Sequence, residues 1–184
     1  LIQIGVAAYS GSPGPELVKR CEAFVDELVK RCGRGKLVLL LGGYWGLMRC
    51  VVDRALGHGV SVALFPPLDR EDLGYPEGVI IVRTSSGPRL RSIYLVRSSD
   101  VLVALGGGAG TLQEIVTAYT EAKPVYVLAG TGLATDKARE CIEPYIDERR
   151  TAPITFVEDP VELAHRVCIE AKMAAGRHLL PQRG

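Results

Sequence analysis

The chain has 184 residues, of which 47% are hydrophobic and 23% charged, and its net charge is +1. That length suffices for one substantial core and is short for two, and no apolar run approaches the roughly 20 residues that cross a bilayer. Charges are dispersed without a block of one sign, so neither a nucleic acid nor a membrane is expected as a partner.

In chain order, Ile2 to Ala8 reads as a strand. It runs in from the amino end with no basic region or cleavage signature, so a cytoplasmic protein is expected. Glu16 to Cys32 has helical spacing, Leu37 to Leu41 is a continuous apolar strand, and Leu47 to Leu56 is helical. Val60 to Phe65 is strand-like and stops at Pro66-Pro67, and Val79 to Val82 is a further strand. The next helix opens near Pro88, a residue tolerated in a first turn. Strand Val101 to Leu105 is followed by helix Leu112 to Ala122, which ends before Pro124. Val125 to Leu128, Asp136 to Tyr145, Ile154 to Val157 and Val161 to Ala175 read as strand, helix, strand and helix. Continuous apolar strands imply burial on both faces. Their alternation with helices predicts an α/β fold: one Rossmann-like, doubly wound, mainly parallel sheet of about seven strands, with helices on both faces. The domain is expected over 1–176 and a loose tail over 177–184.

Five cysteines are an odd number and argue against a full disulfide framework. Cys21, Cys50, Cys141 and Cys168 each travel with apolar residues at helical spacing, so they read as small hydrophobes of the core. His58, His165 and His178 stand far apart and no C-x-x-C occurs, so no metal site is expected. Asparagine is absent, glutamine occurs three times, and arginine outnumbers lysine sixteen to six. Depletion of thermolabile amides is a habit of heat-adapted proteins, in which a single intracellular disulfide is also compatible with the composition.

The carboxyl ends of the strands, where such sheets bind ligands, carry the unusual residues. "YSGSPG" with Gly11 and Ser12 follows the first strand and "GGYWG" with Gly42, Gly43, Tyr44 and Trp45 the second. "TSSG", "GGGAGT" and "AGTG" follow the fourth, fifth and sixth. Glycine bares backbone N–H groups, and a helix start adds partial positive charge, so these loops suit an anion such as phosphate. Gly107, Gly108, Ala109, Gly110 and Thr111 open a helix and form the expected cradle. The loop is neither a Walker A motif nor G-x-G-x-x-G, because Thr111 stands at the third glycine. Thr111 and Glu114 also fit a T-x-x-E capping box, which needs no ligand. Arg91, near a helix start, meets the positive end of the macrodipole, which points to an anionic partner, either Glu114 or a bound phosphate; Arg89 shares the argument. Tyr44 and Trp45 offer flat surface for a planar ring or for another subunit.

"LLLGGYWGLM" and "RSIYLVRSSDVLVALGGGAGTLQE" resemble the LONELY GUY superfamily, long mislabelled as lysine decarboxylases. Gly107, Gly108, Gly110, Thr111 and Glu114 match its P-G-G-x-G-T-x-x-E motif, and Gly42, Gly43, Gly46, Leu47 and Met48 its G-G-x-x-G-L-M loop. Arg91 corresponds to the arginine of its E-R-K segment, and Ser99-Asp100 to its "SD". Gly106 replaces the family's proline, Leu90 its glutamate and Ser92 its lysine, which brings the chain closer to a branch similar to molybdenum-cofactor carrier proteins.

Loops and resemblance together point to binding of a small phosphorylated heterocycle, a nucleoside monophosphate or similar, at the carboxyl edge of the sheet; the resemblance implies either a phosphoribohydrolase acting on nucleoside 5′-monophosphates, with Glu114 and Arg91 catalytic, or a non-catalytic carrier of molybdopterin. No cofactor is required in either case, and a nucleotide or molybdopterin is the implied bound molecule. It also implies a homo-oligomer, dimer or tetramer. Lysine decarboxylation is not expected, since no lysine stands in a context for a pyridoxal Schiff base. A structural or interaction domain whose glycines merely close tight turns is the remaining alternative.

Overall fold

The structure, a computed structural model, describes residues 1–177. Seven strands form one sheet: β1 (Ile2–Ala8), β2 (Leu37–Leu41), β3 (Ser61–Leu64), β4 (Val79–Ile81), β5 (Val101–Leu105), β6 (Val125–Leu128) and β7 (Ile154–Val157). Their order is β4-β3-β2-β1-β5-β6-β7 and every pair is parallel. Six helices connect them: α1 (Pro15–Cys32), α2 (Leu47–Gly57), α3 (Pro88–Arg97), α4 (Ala109–Thr120), α5 (Ala134–Ile142) and α6 (Pro160–Arg177).

Alternate residues of each strand feed two cores, because side chains point to opposite faces with period two. Ile2, Ile4, Val6, Leu37, Leu39, Leu41, Val101, Val103 and Leu105 pack with Phe24 and Leu28 of α1, Val51 of α2 and Val167 of α6. Ala7, Leu40, Leu102 and Ala104 pack on the other face with Leu95 of α3 and Ile115 and Tyr119 of α4. Truncating a fully buried Leu28 or Phe24 to alanine is expected to cost about 3 kcal/mol.

Helix ends follow local chemistry. Pro15 and Pro88 occupy first-turn positions of α1 and α3, where a missing N–H costs nothing. The Asp159 carboxylate accepts the Val161 N–H at 3.0 Å where α6 begins. Several expected boundaries move, and those of α4, α5 and α6 have a physical reason. Helix α4 begins at Ala109 rather than Leu112, because Gly108 is its N-cap and the apolar stripe starts only one turn later. Helix α5 stops at Ile142 rather than Tyr145, since Glu143 is extended ahead of Pro144, as a residue before proline prefers. Helix α6 runs through Arg177, so the expected tail begins no earlier than residue 178; residues 178–184, His178 among them, lie outside the described residues.

Cys32 and Cys168 are joined in a disulfide that ties the end of α1 to α6, their Cα atoms 5.7 Å apart. Cys21 is buried as expected and Cys50 half-buried. Cys141 is a correction: it is exposed, since the buried side of short helix α5 is carried by Thr135 and Ile142. Among the described residues no helix is long and apolar enough to cross a membrane, and no group of three or more His, Cys, Asp or Glu side chains is placed to hold a metal ion.

Candidate functional site

The chain enters the sheet at its centre, builds outward to β4, then returns to the other flank of β1 at β5. That reversal is a topological switch point, where α/β sheets open a crevice beyond the strand ends. Ala8 pairs with Leu105 across it, so the loops beginning at Tyr9 and Gly106 leave side by side. Between them lies a cavity of about 410 Å³.

One wall is an ion pair. The Arg91 guanidinium on α3 donates from Nη1 to Glu114 Oε1 on α4 at 3.1 Å, and Ser92 Oγ donates to the same oxygen at 2.8 Å. Both charged residues are buried. The guanidinium lies flat against the bare Cα of Gly42, where a Cβ would overlap Nη1. Burial pushes the Glu114 carboxyl above the ordinary carboxylate range, against the pull of Arg91 and Ser92, and burial likewise lowers the Arg91 guanidinium. Arg91 Nε is buried without a hydrogen-bond partner among the described residues.

This geometry decides between two readings. The capping box does not form: Thr111 sits inside the first turn of α4, the N-cap is Gly108 with no side-chain cap, and Glu114 turns to Arg91 instead. Nor is Arg91 a solvated arginine at a frayed helix start.

The opposite feature is a bare helix start. The first N–H groups of a helix have no intrahelical acceptors, and α4 offers none from a side chain at Gly108. A Cβ at Gly108 or Gly110 would meet nothing within 4 Å, so both face open space, whereas one at Gly107 would overlap Thr111 Oγ1. Gly106 turns the chain with φ +79°, a left-handed conformation that favours glycine. Two glycines of this loop thus make the turn, and two leave backbone uncovered.

Trp45 forms another part of the wall, with the Arg70 guanidinium 4.5 Å from its ring centre. Tyr44 turns away, donating to Asp53 Oδ1 at 2.6 Å while Arg49 covers its ring at 5.3 Å.

Of the residues expected at the site, the structure brings Gly42, Trp45, Arg91, Gly108, Ala109, Gly110, Thr111 and Glu114 to one cavity. Gly107, Gly43, Tyr44, Gly11 and Ser12 do not line it. Gly107 is folded against Thr111, Gly43 lies beneath the Trp45 ring, and Gly11 is covered by the Tyr9 ring. Tyr9, Ser10 and Gln113 line it without having been singled out, and so do Met48 and Ser92, which had been named only for the family resemblance. Ser92 stood at the position of the family's lysine, which was the available signal; Gln113, bonded to the Arg89 carbonyl at 3.0 Å, carried none. Arg89 lies at the rim, exposed and without an ion pair among the described residues.

Two of the other glycine loops are closed by the protein itself. Asp136 accepts the N–H groups of Gly130, Thr131 and Gly132 at 3.0, 2.7 and 2.6 Å. Buried Glu71 accepts those of Thr84 and Ser85 at 2.8 and 2.7 Å. The expectation that all of these loops suit an anion is corrected for these two, whose N–H groups are already taken.

The sequence model of the SLOG cluster4 family matches residues 1–163. An uncharacterized protein of Archaeoglobus fulgidus is 35% identical over 126 residues, covering 68% of this chain and 78% of that protein. Among solved structures, the structural-genomics target TM1055 superposes with a TM-score of 0.80 at 30% identity, over 92% of this chain and 99% of that one. The molybdenum cofactor binding protein of Rippkaea orientalis (TM-score 0.68, 23% identity, 94% of this chain and 96% of that one) shares the fold. So does the Moco carrier protein of Chlamydomonas reinhardtii (TM-score 0.70, 21% identity, 95% and 98%).

Proposed function

The chain belongs to the SLOG cluster4 family, and from that premise we propose that it binds a small phosphorylated heterocycle, a phosphorylated pterin ahead of a nucleoside monophosphate, in the cavity at the switch point. The observation that carries this reading is the uncapped start of α4, with Gly108 and Gly110 open to solvent-sized space. Backbone N–H groups and the helix dipole there favour a phosphate. Arg91 is committed to Glu114, so the cation for that phosphate is Arg89 at the rim. The planar ring packs near Trp45, whose indole keeps its place through Arg70. A volume of about 410 Å³ is ordinary for a small-molecule site. Two structural neighbours named for the molybdenum cofactor support the pterin over the nucleotide.

Turnover is the second reading, favoured because Glu114 lines the same cavity. Breaking a ribose–base bond builds positive charge on the sugar, which a carboxylate stabilises. We place carriage first because both donors converge on Glu114 Oε1, and because Leu90, at the family's glutamate position, is exposed. The homo-oligomer implied by the resemblance would use apolar helix surface, for which exposed Leu90, Tyr94 and Val116 on α3 and α4 are available.

Isothermal titration with molybdopterin and with AMP tests the reading, alongside chromatography for released adenine. Binding without base release is expected. Silence with both ligands overturns it, and adenine release from AMP transfers the site to the hydrolase reading.

A further inference from the structure

The two edges of the sheet are finished differently. At one end of the strand order, β7 turns the N–H groups of Ile154 and Phe156 outward, and both are taken within the chain. Ile154 donates to the Pro144 carbonyl at 2.9 Å and Phe156 to Glu143 Oε1 at 3.0 Å. At the other end, β4 is not closed in this way. Val82 N–H donates inward to the Leu64 carbonyl at 2.8 Å. By the alternation of a strand, Ile80 also turns its backbone groups to β3, and Val79 and Ile81 turn theirs outward. Among the described residues nothing bonds to those outward N–H and carbonyl groups. An open edge is a template for another strand, and proteins blunt it with lysine, proline, a charge or a bulge. β4 reads Val79-Ile80-Ile81 and carries none of these. Val79 and Ile81 lean on the core beneath α1 and α2, while Ile80, on the opposite face, is 56% exposed.

This edge is complementary to itself. With a second copy laid antiparallel across a two-fold axis at Ile80, Val79 stands opposite Ile81 of the second copy, and Ile81 opposite its Val79. Both residues point outward, so each such pair exchanges two hydrogen bonds. The Ile80 side chains then meet in the close, non-hydrogen-bonded position between them. Glu77 and Arg83, both exposed, lie three residues before and three after Ile80. The same axis therefore sets Glu77 toward Arg83 of the second copy, and Arg83 toward its Glu77. Glu77 has no ion pair among the described residues, and Arg83 has only an exposed one, Nε to Asp72 Oδ1 at 3.5 Å. An unrelated strand could make the hydrogen bonds but would not repeat this reciprocal charge match.

We propose that β4 pairs antiparallel with β4 of a second copy of this chain, joining two sheets edge to edge across a two-fold axis at Ile80. The contact is isologous, so every substitution in it acts twice. It is separate from the apolar surface of Leu90, Tyr94 and Val116 on α3 and α4.

Sedimentation equilibrium of the whole protein over a concentration series, with hydrogen–deuterium exchange at the same concentrations, tests the pairing. Reversible dimerisation is expected, with exchange of the peptide containing Val79 and Ile81 slowing as concentration rises. Ile80→Lys sets two ammonium groups face to face and is expected to weaken the dimer about tenfold. Because Ile80 is exposed, the melting temperature of the monomer should not fall. Glu77→Arg is expected to weaken the dimer about threefold, and adding Arg83→Glu to restore it, since the charges are then exchanged rather than lost. A chain that is monomeric at every concentration overturns the proposal. So does an assembly that Ile80→Lys leaves intact, a Leu90→Glu chain that is monomeric throughout, or a double variant that dimerises no better than Glu77→Arg.

Discussion

Two glycine-rich loops leave neighbouring strands at the same edge of the sheet and are finished in opposite ways. After β6, three consecutive N–H groups converge on Asp136, and Thr131 Oγ1 joins them at 3.0 Å. After β5, the turn delivers the chain to α4 with no side chain over Gly108. A carboxylate four residues past Gly132 makes the first loop its own anion-binding site, already filled. The second lacks any such group because Glu114 is drawn sideways to Arg91. Glycine content alone therefore does not tell an open loop from one that the protein closes itself.

The contrast can be broken first at the ion pair. Arg91→Met leaves Glu114 buried without its cation and is expected to cost about 3–5 kcal/mol in urea unfolding; a loss below 1 kcal/mol would mean that the pair does not hold α3 to α4. Next, Asp136→Ala uncaps three N–H groups and is expected to cost about 2 kcal/mol, with ligand affinity unchanged; weakened binding instead would join the two loops functionally. Gly108→Ala should reverse that pattern. The melting temperature stays within a degree or so, because the added methyl meets open space, while affinity for a phosphorylated ligand falls about tenfold, or ~1.4 kcal/mol. Equal affinity for both proteins would remove the helix start from the site.

The smallest effect is a pH dependence. Because the folded Glu114 carboxyl lies above its ordinary value of 4.5, the folded state holds that proton more tightly than the unfolded chain. Its contribution to stability is thus fully present below pH 4.5 and is lost as pH rises through the higher folded value. Wild type should gain on Glu114→Gln as pH falls from neutrality toward 4.5, read by urea midpoints; a gain in the other direction would show a carboxylate stabilised by Arg91 more than burial opposes it.

Much of the fold was legible because burial on both faces gives strands an unbroken apolar signature. The reading places β1, β2, β5, β6 and β7 at their observed bounds. Helix α4 was read one turn short, since Ala109, Gly110 and Thr111 carry no apolar period, and the same shift created the apparent capping box. At the site, Gly108 and Gly110 were placed on the cavity while Gly107, Gly43 and Gly11 are covered by neighbouring side chains, because side-chain directions cannot be read from sequence. Tyr44 and Trp45 are adjacent in sequence, yet Asp53 in the second turn of α2 takes Tyr44 away and leaves Trp45 on the cavity. The closure of the β6 loop was written in Asp136, but three N–H donations to one carboxylate are visible only once the turn is folded.

The Cys32–Cys168 bond encloses a sequence separation of 136, so most of this polypeptide is a covalent ring with short arms. Closing a loop of that size removes freedom from the unfolded chain worth roughly 5 kcal/mol on an entropic account. A single nick within the ring, for instance in the exposed stretch around Asp72, converts the ring into a line without parting its halves, and both fragments remain bound to the same scaffold until a reductant reaches the bridge.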